Sequence, residues 1–545
     1  LYGVFSGGFF MAKRSAVVFL AFTVIIGFVS LKVLTLGNGE FAQNATQNNT
    51  MSIDIAESRG EIYDCNLKKI VNTQTGYIAA CKPSVPAMNA LRNLLSKTDF
   101  DAVSSRFGKG FPAAVPVPVK NIDCGDIKVI SVKKRYTAGQ PAAHIIGYLS
   151  SDGRGTSGIE KSFDDILAIE KGRISVSFPV DAQRRVLAGG NILVKENEYY
   201  SKQGVCLTLD IDIQRLVENC LDRCGLECGA AVVLDVNTGE IKAAASRPVI
   251  DANNLTNSLK SPDSPFINRA FTSYSVGSVF KPLVAAVALE NGLSPGLTFR
   301  CDGSVSTSGV VFNCHKEEGH GVVDMRAAIM DSCNVYFINL AQKIDPVVLL
   351  STAESMGFGG GIELAAGLTA AAGRLPAVNE LDSPAAIANL AFGQGRLMAS
   401  PLQIAAMMAS IASGGEYRKP VLIKGIVDKN GVLTKTAGTT APERVISART
   451  ADKLQGFLID TVENGSGRKA KPSNTTAGGK TATAQSGWYD GSTETLHAWF
   501  AGFVPAQSPR FVIVVMKENG QSGAIDCGPI FKRIAEGIAV LYPGL

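Results

Sequence analysis

Ser278 and Lys281 stand three residues apart in Tyr274-Ser275-Val276-Gly277-Ser278-Val279-Phe280-Lys281-Pro282. On a helix that spacing stacks a hydroxyl and an amine on one face. A serine hydroxyl is a poor nucleophile at neutral pH, and a lysine kept neutral by burial or by a cationic neighbour can take its proton. Pro282 helps to place the helix, because proline lacks an N–H and is tolerated only around the first turn. The helix is therefore predicted to begin near Ser278. The hydroxyl then sits at the positive end of the helix, where developing negative charge is favoured.

Ser-x-x-Lys alone is weak, and the chain contains it three times: Ser131 to Lys134, Ser278 to Lys281 and Ser466 to Lys469. The bland reading of each is a surface lysine after a helix cap. The middle one has company. Ser332-Cys333-Asn334 follows it, and then Gly478-Gly479-Lys480-Thr481-Ala482-Thr483. Ser-x-x-Lys, Ser-x-Asn and Lys-Thr-x in that order resemble the signature of penicillin-binding proteins and serine β-lactamases.

The elements that must position these residues are legible in outline. The chain has 545 residues, 19% charged and 46% hydrophobic, which is globular and long enough for two or three domains. A net charge of +5 with no long basic run gives nucleic-acid binding no support. Four histidines and no Cys-x-x-Cys pair argue against a metal enzyme, so no metal or cofactor is expected. His315 and His320 read as structural. Eleven cysteines leave at least one unpaired within the chain. Cys220 and Cys224 fall on the apolar face of a predicted helix, and Cys301 and Cys314 bracket a short loop that a disulfide could close.

Taken in order, residues 1–10 precede Met11-Ala-Lys-Arg, which looks like a natural start, so they read as a gene-start artefact. Ser15 to Leu31 carries no charge, and with Lys32 snorkelling the segment 15–36 is long enough to span a bilayer. Lys13 and Arg14 would hold the N-terminus in the cytoplasm. An uncleaved anchor is favoured over a signal peptide, as no small-x-small site follows the run. Asn38 to Thr50 reads as a polar linker. Helices are predicted over Ala87 to Leu95, Ile211 to Arg223 and Leu402 to Ser413, the last after a capping box at Ser400-Pro401-Leu402-Gln403. A hairpin is predicted about Asn237-Thr238-Gly239, with further strands at Ala498 to Val504 and Arg510 to Met516. A last helix places Ile530, Ile534, Ile538 and Leu541 on one face. The implied fold class is α/β (α+β), with one sheet assembled from distant parts of the chain.

The chain as a whole resembles the class B penicillin-binding proteins, the monofunctional transpeptidases of the bacterial cell wall. Arg59-Gly60-x-Ile62-x-Asp64, Arg135-Tyr136, His144-x-x-Gly147-Tyr148 and Gly158-Ile159-Glu160 resemble the family's non-penicillin-binding module. Leu207-Thr208-x-Asp210 with Gln214, Asp235-x-x-Thr238-Gly239-Glu240, Gly393-Gln394-Gly395 and Ala498-Trp499-Phe500-Ala501-Gly502 resemble its transpeptidase domain. The resemblance implies a cytoplasmic stretch 1–14, an anchor 15–36, a pedestal or dimerisation module 37–204 and a transpeptidase domain 205–545, with a central antiparallel sheet flanked by helices. Nothing suggests a glycosyltransferase module, and no C-terminal repeat domains are expected.

The same resemblance implies roles. Ser278 would attack the D-Ala–D-Ala carbonyl of a stem peptide, and Lys281 would be the general base. Ser332 would relay protons, Asn334 would hold the substrate amide, Lys480 would add positive potential and Thr481 would bind the terminal carboxylate. The backbone N–H groups of Ser278 and Thr483 would form the oxyanion hole. Implied partners are lipid-linked or nascent peptidoglycan, β-lactam antibiotics and a membrane glycosyltransferase. Three positions depart from the family: Val276 where proline is frequent, Cys65 where arginine is, and Ala482 where glycine is usual. The Ala482 methyl is expected to narrow the substrate groove. Competing readings are a D,D-carboxypeptidase or β-lactamase, and a non-catalytic scaffold or β-lactam sensor. Glu354-Ser355-Met356-Gly357 does not match the deacylating segment of a class A β-lactamase, and the nucleophile and base that a scaffold would lose are both present.

Overall fold

Strands from both sides of the three motifs lie side by side in one antiparallel sheet. In this computed structural model the sheet runs Ile241–Arg247, Gly229–Asp235, Phe511–Lys517, Thr493–Val504, Gly478–Asp490. The hairpin predicted about Asn237-Thr238-Gly239 supplies the first two strands. Asp235 closes its turn by accepting from the N–H groups of Asn237 and Thr238 at 2.9 and 3.1 Å. The structure describes residues 6–38, 49–168, 172–181, 183–187, 189–435 and 441–544. Most of the expected gene-start and linker segments lies outside these.

Helices cover the sheet because their sequences bury one face or all of them. Helix Ile211–Arg223 matches its predicted bounds and is capped by Asp210, whose carboxylate accepts from Asp212 and Ile213. Gln214 pins it to the sheet by exchanging two hydrogen bonds with the backbone of Ala244. Helix Pro401–Ala412 starts at the predicted capping box and is buried on nearly every side, so its methionines are core filling. The last helix, Gly528–Leu541, buries Ile530, Ile534 and Ile538, but Leu541 is 42% exposed because its final turn runs past the core.

By contact the chain forms two compact units. One holds the described residues of Leu1–Ser58, Thr75–Lys133 and Lys171–Tyr200; the other holds Arg59–Gln74, Lys134–Glu170 and Ser201–Leu545. In the first, helix Ser6–Asn38 contains a 22-residue stretch, Arg14–Thr35, long and apolar enough to cross a membrane. Strand Thr50–Glu57 pairs with Arg173–Pro179, and Gln74–Cys81 with Ala113–Val117. Helix Val85–Leu91 stops short of the predicted Leu95.

In the second unit, two stretches read from the sequence as pedestal pack with later residues. Strand Glu61–Tyr63 runs parallel to Gly204–Leu207, which pairs antiparallel with Ile423–Val427. The motifs Arg59-Gly60, Arg135-Tyr136 and Gly158-Ile159-Glu160 converge on one buried carboxylate. Glu160 accepts from Arg59 Nε at 2.6 Å, Arg135 Nε at 2.7 Å and Tyr136 OH at 3.0 Å. Burial works to raise the Glu160 carboxyl, but Arg135 and Arg59 outweigh it and hold the group below its ordinary range. Its contribution to stability is therefore present above the unfolded carboxylate pKa and lost as pH falls through the folded one. Glu160→Gln leaves two guanidinium groups without their shared counter-charge, a loss of about 3–5 kcal/mol. Chemical denaturation at neutral pH is expected to show that loss, with the difference from wild type shrinking on acidification.

Candidate active site

Ser278 sits in a short 3-10 turn, Gly277–Phe280, that runs straight into helix Lys281–Glu290. The predicted helix start near Ser278 is thus a tighter turn, closed by Lys281 N–H donating to Ser278 O, and Pro282 occupies the first α-helical turn. Three contacts hold the approach to Ser278. Tyr274–Ser275 pairs with Met398–Ala399. Trp499 Nε1 donates to Ser275 O at 3.0 Å. Gly277 N donates to Gly393 O at 2.9 Å.

Glycine is required at both ends of that last bond. Gly277 has a φ of +60°, and a Cβ on it would lie 3.1 Å from Ala484 Cβ and 3.2 Å from Thr483 O. A Cβ on Gly393 would lie 2.0 Å from Gly277 O. The Ser278 turn therefore rests against Thr483 and Ala484 on strand Gly478–Asp490, the last strand of the five-stranded sheet. This is the physical content of Gly393-Gln394-Gly395 and of the tryptophan in Ala498-Trp499-Phe500.

Lys281 is wholly buried. Its Nζ donates to Ser332 O at 2.7 Å, Asn334 Oδ1 at 2.7 Å and Ser332 Oγ at 3.3 Å. Ser332 has a left-handed backbone, φ +61°. Asn334 opens helix Asn334–Ala341, and its Nδ2 donates to Asn313 O at 3.1 Å. Burial lowers the Lys281 amine to about 8, against an opposing effect of Cys333 and Cys314. The neutral amine is therefore accessible near physiological pH. Lys480 is equally buried, and its Nζ donates to Thr481 O at 3.0 Å. Burial first, and then the charge of Lys281, push it well below its ordinary value, opposed by Asp331. Two amines in one dry region do not both hold protons cheaply.

Thr481 Oγ1 lies 3.1 Å from Ser466 Oγ, which donates to Met330 O at 3.0 Å. Ser466, read in the sequence only as part of a surface Ser-x-x-Lys, thus touches a residue of the third motif. Thr483 is exposed. Of the other two Ser-x-x-Lys pairs, Ser131 and Lys134 lie on strand Ile127–Lys134, while Ser466 to Lys469 leads into the 3-10 turn Arg468–Ala470. The arrangement offers a half-buried hydroxyl, a buried amine able to lose its proton, and a strand against which an extended peptide can pair.

Two features lie outside the sequence reading. The contacts of Asn313 with Asn334 and of Ser466 with Thr481 are ones that no spacing rule marks. Cys301 and Cys314, considered for a disulfide, are free thiols. With His320 and Cys333 they bring four ligand atoms within 4.8 Å of one another, the one such group of histidine, cysteine and carboxylate side chains noted among the described residues.

Known proteins resemble this chain in sequence and fold. The family description "Penicillin binding protein transpeptidase domain" matches residues 229–536. Stage V sporulation protein D of Bacillus subtilis is 27% identical over 95% of this chain and 82% of its own length. Peptidoglycan D,D-transpeptidase FtsI of Escherichia coli is 29% identical over 74% of this chain and 67% of its own. A crystal structure of penicillin binding protein 3 from Mycobacterium tuberculosis, complexed with aztreonam, superposes with a TM-score of 0.65 at 25% identity, covering 90% of this chain and 97% of that one.

Ala482 does not sit where the sequence reading expects it. It is 3% exposed, pairs with Trp499 across the ladder and belongs to the apolar core. Strand alternation puts its methyl on the face of Lys480, opposite Thr481 and Thr483, where it packs in the apolar core and offers a ligand almost no surface. Ala482→Gly is expected to lower stability by about 0.5–1 kcal/mol through backbone entropy. The same variant should change acylation by a small penicillin and a bulky cephalosporin equally. Thermal unfolding and paired acylation kinetics check both; a selective gain for the bulky ligand would return the methyl to the groove.

Proposed function

Since the chain belongs to the penicillin-binding protein transpeptidase family, we propose that it is a serine-type peptidoglycan D,D-transpeptidase that passes through an acyl-enzyme on Ser278. The observation that carries this reading is the dry Lys281 amine, held by Ser332 and Asn334 one turn beyond Ser278. In its neutral form the amine takes the Ser278 proton as Oγ bonds to the penultimate D-Ala carbonyl carbon. The N–H groups of Ser278 and Thr483 receive the oxyanion. The C–N bond to the terminal D-Ala then breaks, and its nitrogen collects a proton through Ser332. Thr481 and Lys480 recognise the terminal carboxylate, and Asn334 the peptide amide. The amine of a second stem peptide attacks the ester, forms the cross-link and returns the proton to Ser278 Oγ.

The substrate is a peptide strand, and strand Gly478–Asp490 offers it a ladder of backbone partners. Arg14–Thr35 anchors the chain, with Lys13 and Arg14 on the cytoplasmic side and the catalytic unit outside the membrane. A membrane glycosyltransferase would supply the glycan strands, and β-lactams would acylate Ser278 in place of the stem peptide.

Labelling with a fluorescent penicillin followed by peptide mapping tests the reading. The adduct is expected on Ser278 alone and to last for many minutes. Ser278→Ala should abolish it, and an adduct on Ser131 or Ser466 would overturn the assignment. Rapid penicillin turnover would instead point to a hydrolase.

Lys281→Ala should slow acylation on the order of a hundredfold or more. In the wild type the acylation rate is expected to rise with pH up to about 8 and flatten above, since the competent form is the neutral amine. A stopped-flow pH series measures this, and a rate independent of pH between 6 and 9 would remove Lys281 as the base.

A further inference from the structure

The four ligand atoms of Cys301, Cys314, His320 and Cys333 make a coordination sphere, and we propose that they bind a structural zinc ion that fixes the Ser332-Cys333-Asn334 turn. Three thiols and one imidazole are a ligand set that zinc favours in closed, tetrahedral structural sites. The cysteines are 1%, 5% and 0% exposed, and His320 is half-buried.

The distances fit. Zinc bonds of about 2.3 Å to sulfur and about 2.0–2.1 Å to nitrogen give tetrahedral sulfur–nitrogen edges of about 3.6 Å and sulfur–sulfur edges of about 3.8 Å. His320 Nδ1 lies 3.6 Å from Cys301 Sγ and 3.6 Å from Cys314 Sγ. All four ligand atoms fall within 4.8 Å of one another. Closing the widest separation onto a zinc ion draws those two atoms together by no more than about 1 Å.

The surroundings are built for thiolate sulfur. The N–H of Tyr336 donates to Cys333 Sγ at 3.4 Å, where Cys333 caps helix Asn334–Ala341. Such bonds orient thiolate ligands and stabilise their charge. The loop that carries the other three ligands is closed tightly. Phe299–Cys301 pairs with Gly321–Val323, and Cys314 N donates to Gly303 O at 2.8 Å. Gly319, at φ +78°, comes so close that a Cβ would lie 2.1 Å from Cys301 O.

The consequence is positional. Three ligands come from the excursion 301–320, and the fourth is the middle residue of the motif that holds Lys281. Asn334 is tied to the same excursion through Asn313 O. Zinc would therefore clamp the left-handed Ser332 and the side-chain amide oxygen of Asn334 against the Lys281 amine. Binding forms three Zn–S bonds and one Zn–N bond and releases the thiol protons to solvent. The ion touches no reacting atom, so its role is distinct from the acyl chemistry proposed above.

The test is metal content and cobalt spectroscopy on the full-length, detergent-solubilised protein kept reduced. Elemental analysis after dialysis against zinc is expected to find one zinc per chain. Cobalt substitution is expected to give the visible bands of a tetrahedral ion with thiolate-to-cobalt charge transfer. Cys301→Ser and His320→Ala should each lose the metal and lower the melting temperature, and both should label with penicillin more slowly than wild type. Should either variant misfold, the cobalt spectrum of the wild type still decides. Zinc well below one per chain would overturn the proposal. So would an octahedral cobalt spectrum without thiolate bands, or a Cys301–Cys314 disulfide in the protein as isolated from cells. Because metal content is read without penicillin, failure here and failure of Ser278 labelling are separate results.

Discussion

An amine taken out of water must either keep its proton and find acceptors or give the proton up. The site is organised around that constraint at Lys281. Three oxygens surround its Nζ, all of them neutral: a carbonyl and a hydroxyl from Ser332 and the amide oxygen of Asn334. A carboxylate in their place would fix the charge. Neutral acceptors hold the position of the nitrogen while leaving its proton loosely bound, as a base requires. Lys480 extends the same logic, since its own burial and the charge of Lys281 make a second ammonium costly in that dry region.

Holding those acceptors demands unusual backbone. Ser332 is left-handed, and Gly277 and Gly393 approach each other more closely than any side chain permits. Strain and close approach of this kind persist only when the surroundings over-determine them. Here the surroundings are the five-stranded sheet, reached through Trp499 and Thr483, and the helices that Lys281 and Asn334 open. The site thus depends on long-range packing at every point, although each motif is short.

Much of this was legible in sequence because the chemistry sits in local patterns. Pro282 marked the start of the nucleophile helix, Asp210 and Ser400 marked two others, and Asn237-Thr238-Gly239 marked the hairpin. The order of the three motifs pointed to their convergence. What was not legible depends on which face a residue turns to and on what lies across a gap. Ala482 shares a strand with two threonines, and only its burial within the apolar core shows where its methyl lies. Ser466 and Asn313 gain meaning from hydrogen bonds across distant segments. The cysteine–histidine cluster escaped because its members are separated by 13, 6 and 13 residues, a spacing that resembles no short finger. The group that Arg59, Arg135 and Glu160 form is legible as three motifs but not as a single carboxylate shared between two guanidinium groups.

That carboxylate, with the parallel strand pair beside it, bears on how such proteins can diversify. The compact unit that contains Ser278 also contains Arg59–Gln74 and Lys134–Glu170. Strand Glu61–Tyr63 lends its edge to Gly204–Leu207, and Glu160 joins residues from both early stretches. A genetic crossover between related genes anywhere from residue 75 to 200 would give a protein whose early strand and late sheet came from different parents. Those joined before residue 160 also split Arg59 from Glu160, so they survive only if both parents kept the same arginine–glutamate geometry. The early and late parts of the gene are therefore expected to be inherited together, and horizontal exchange of a fragment limited to residues 229–536 keeps Glu61–Tyr63 and Gly204–Leu207 but replaces Ile423–Val427, so it works only where the incoming strand preserves that pairing.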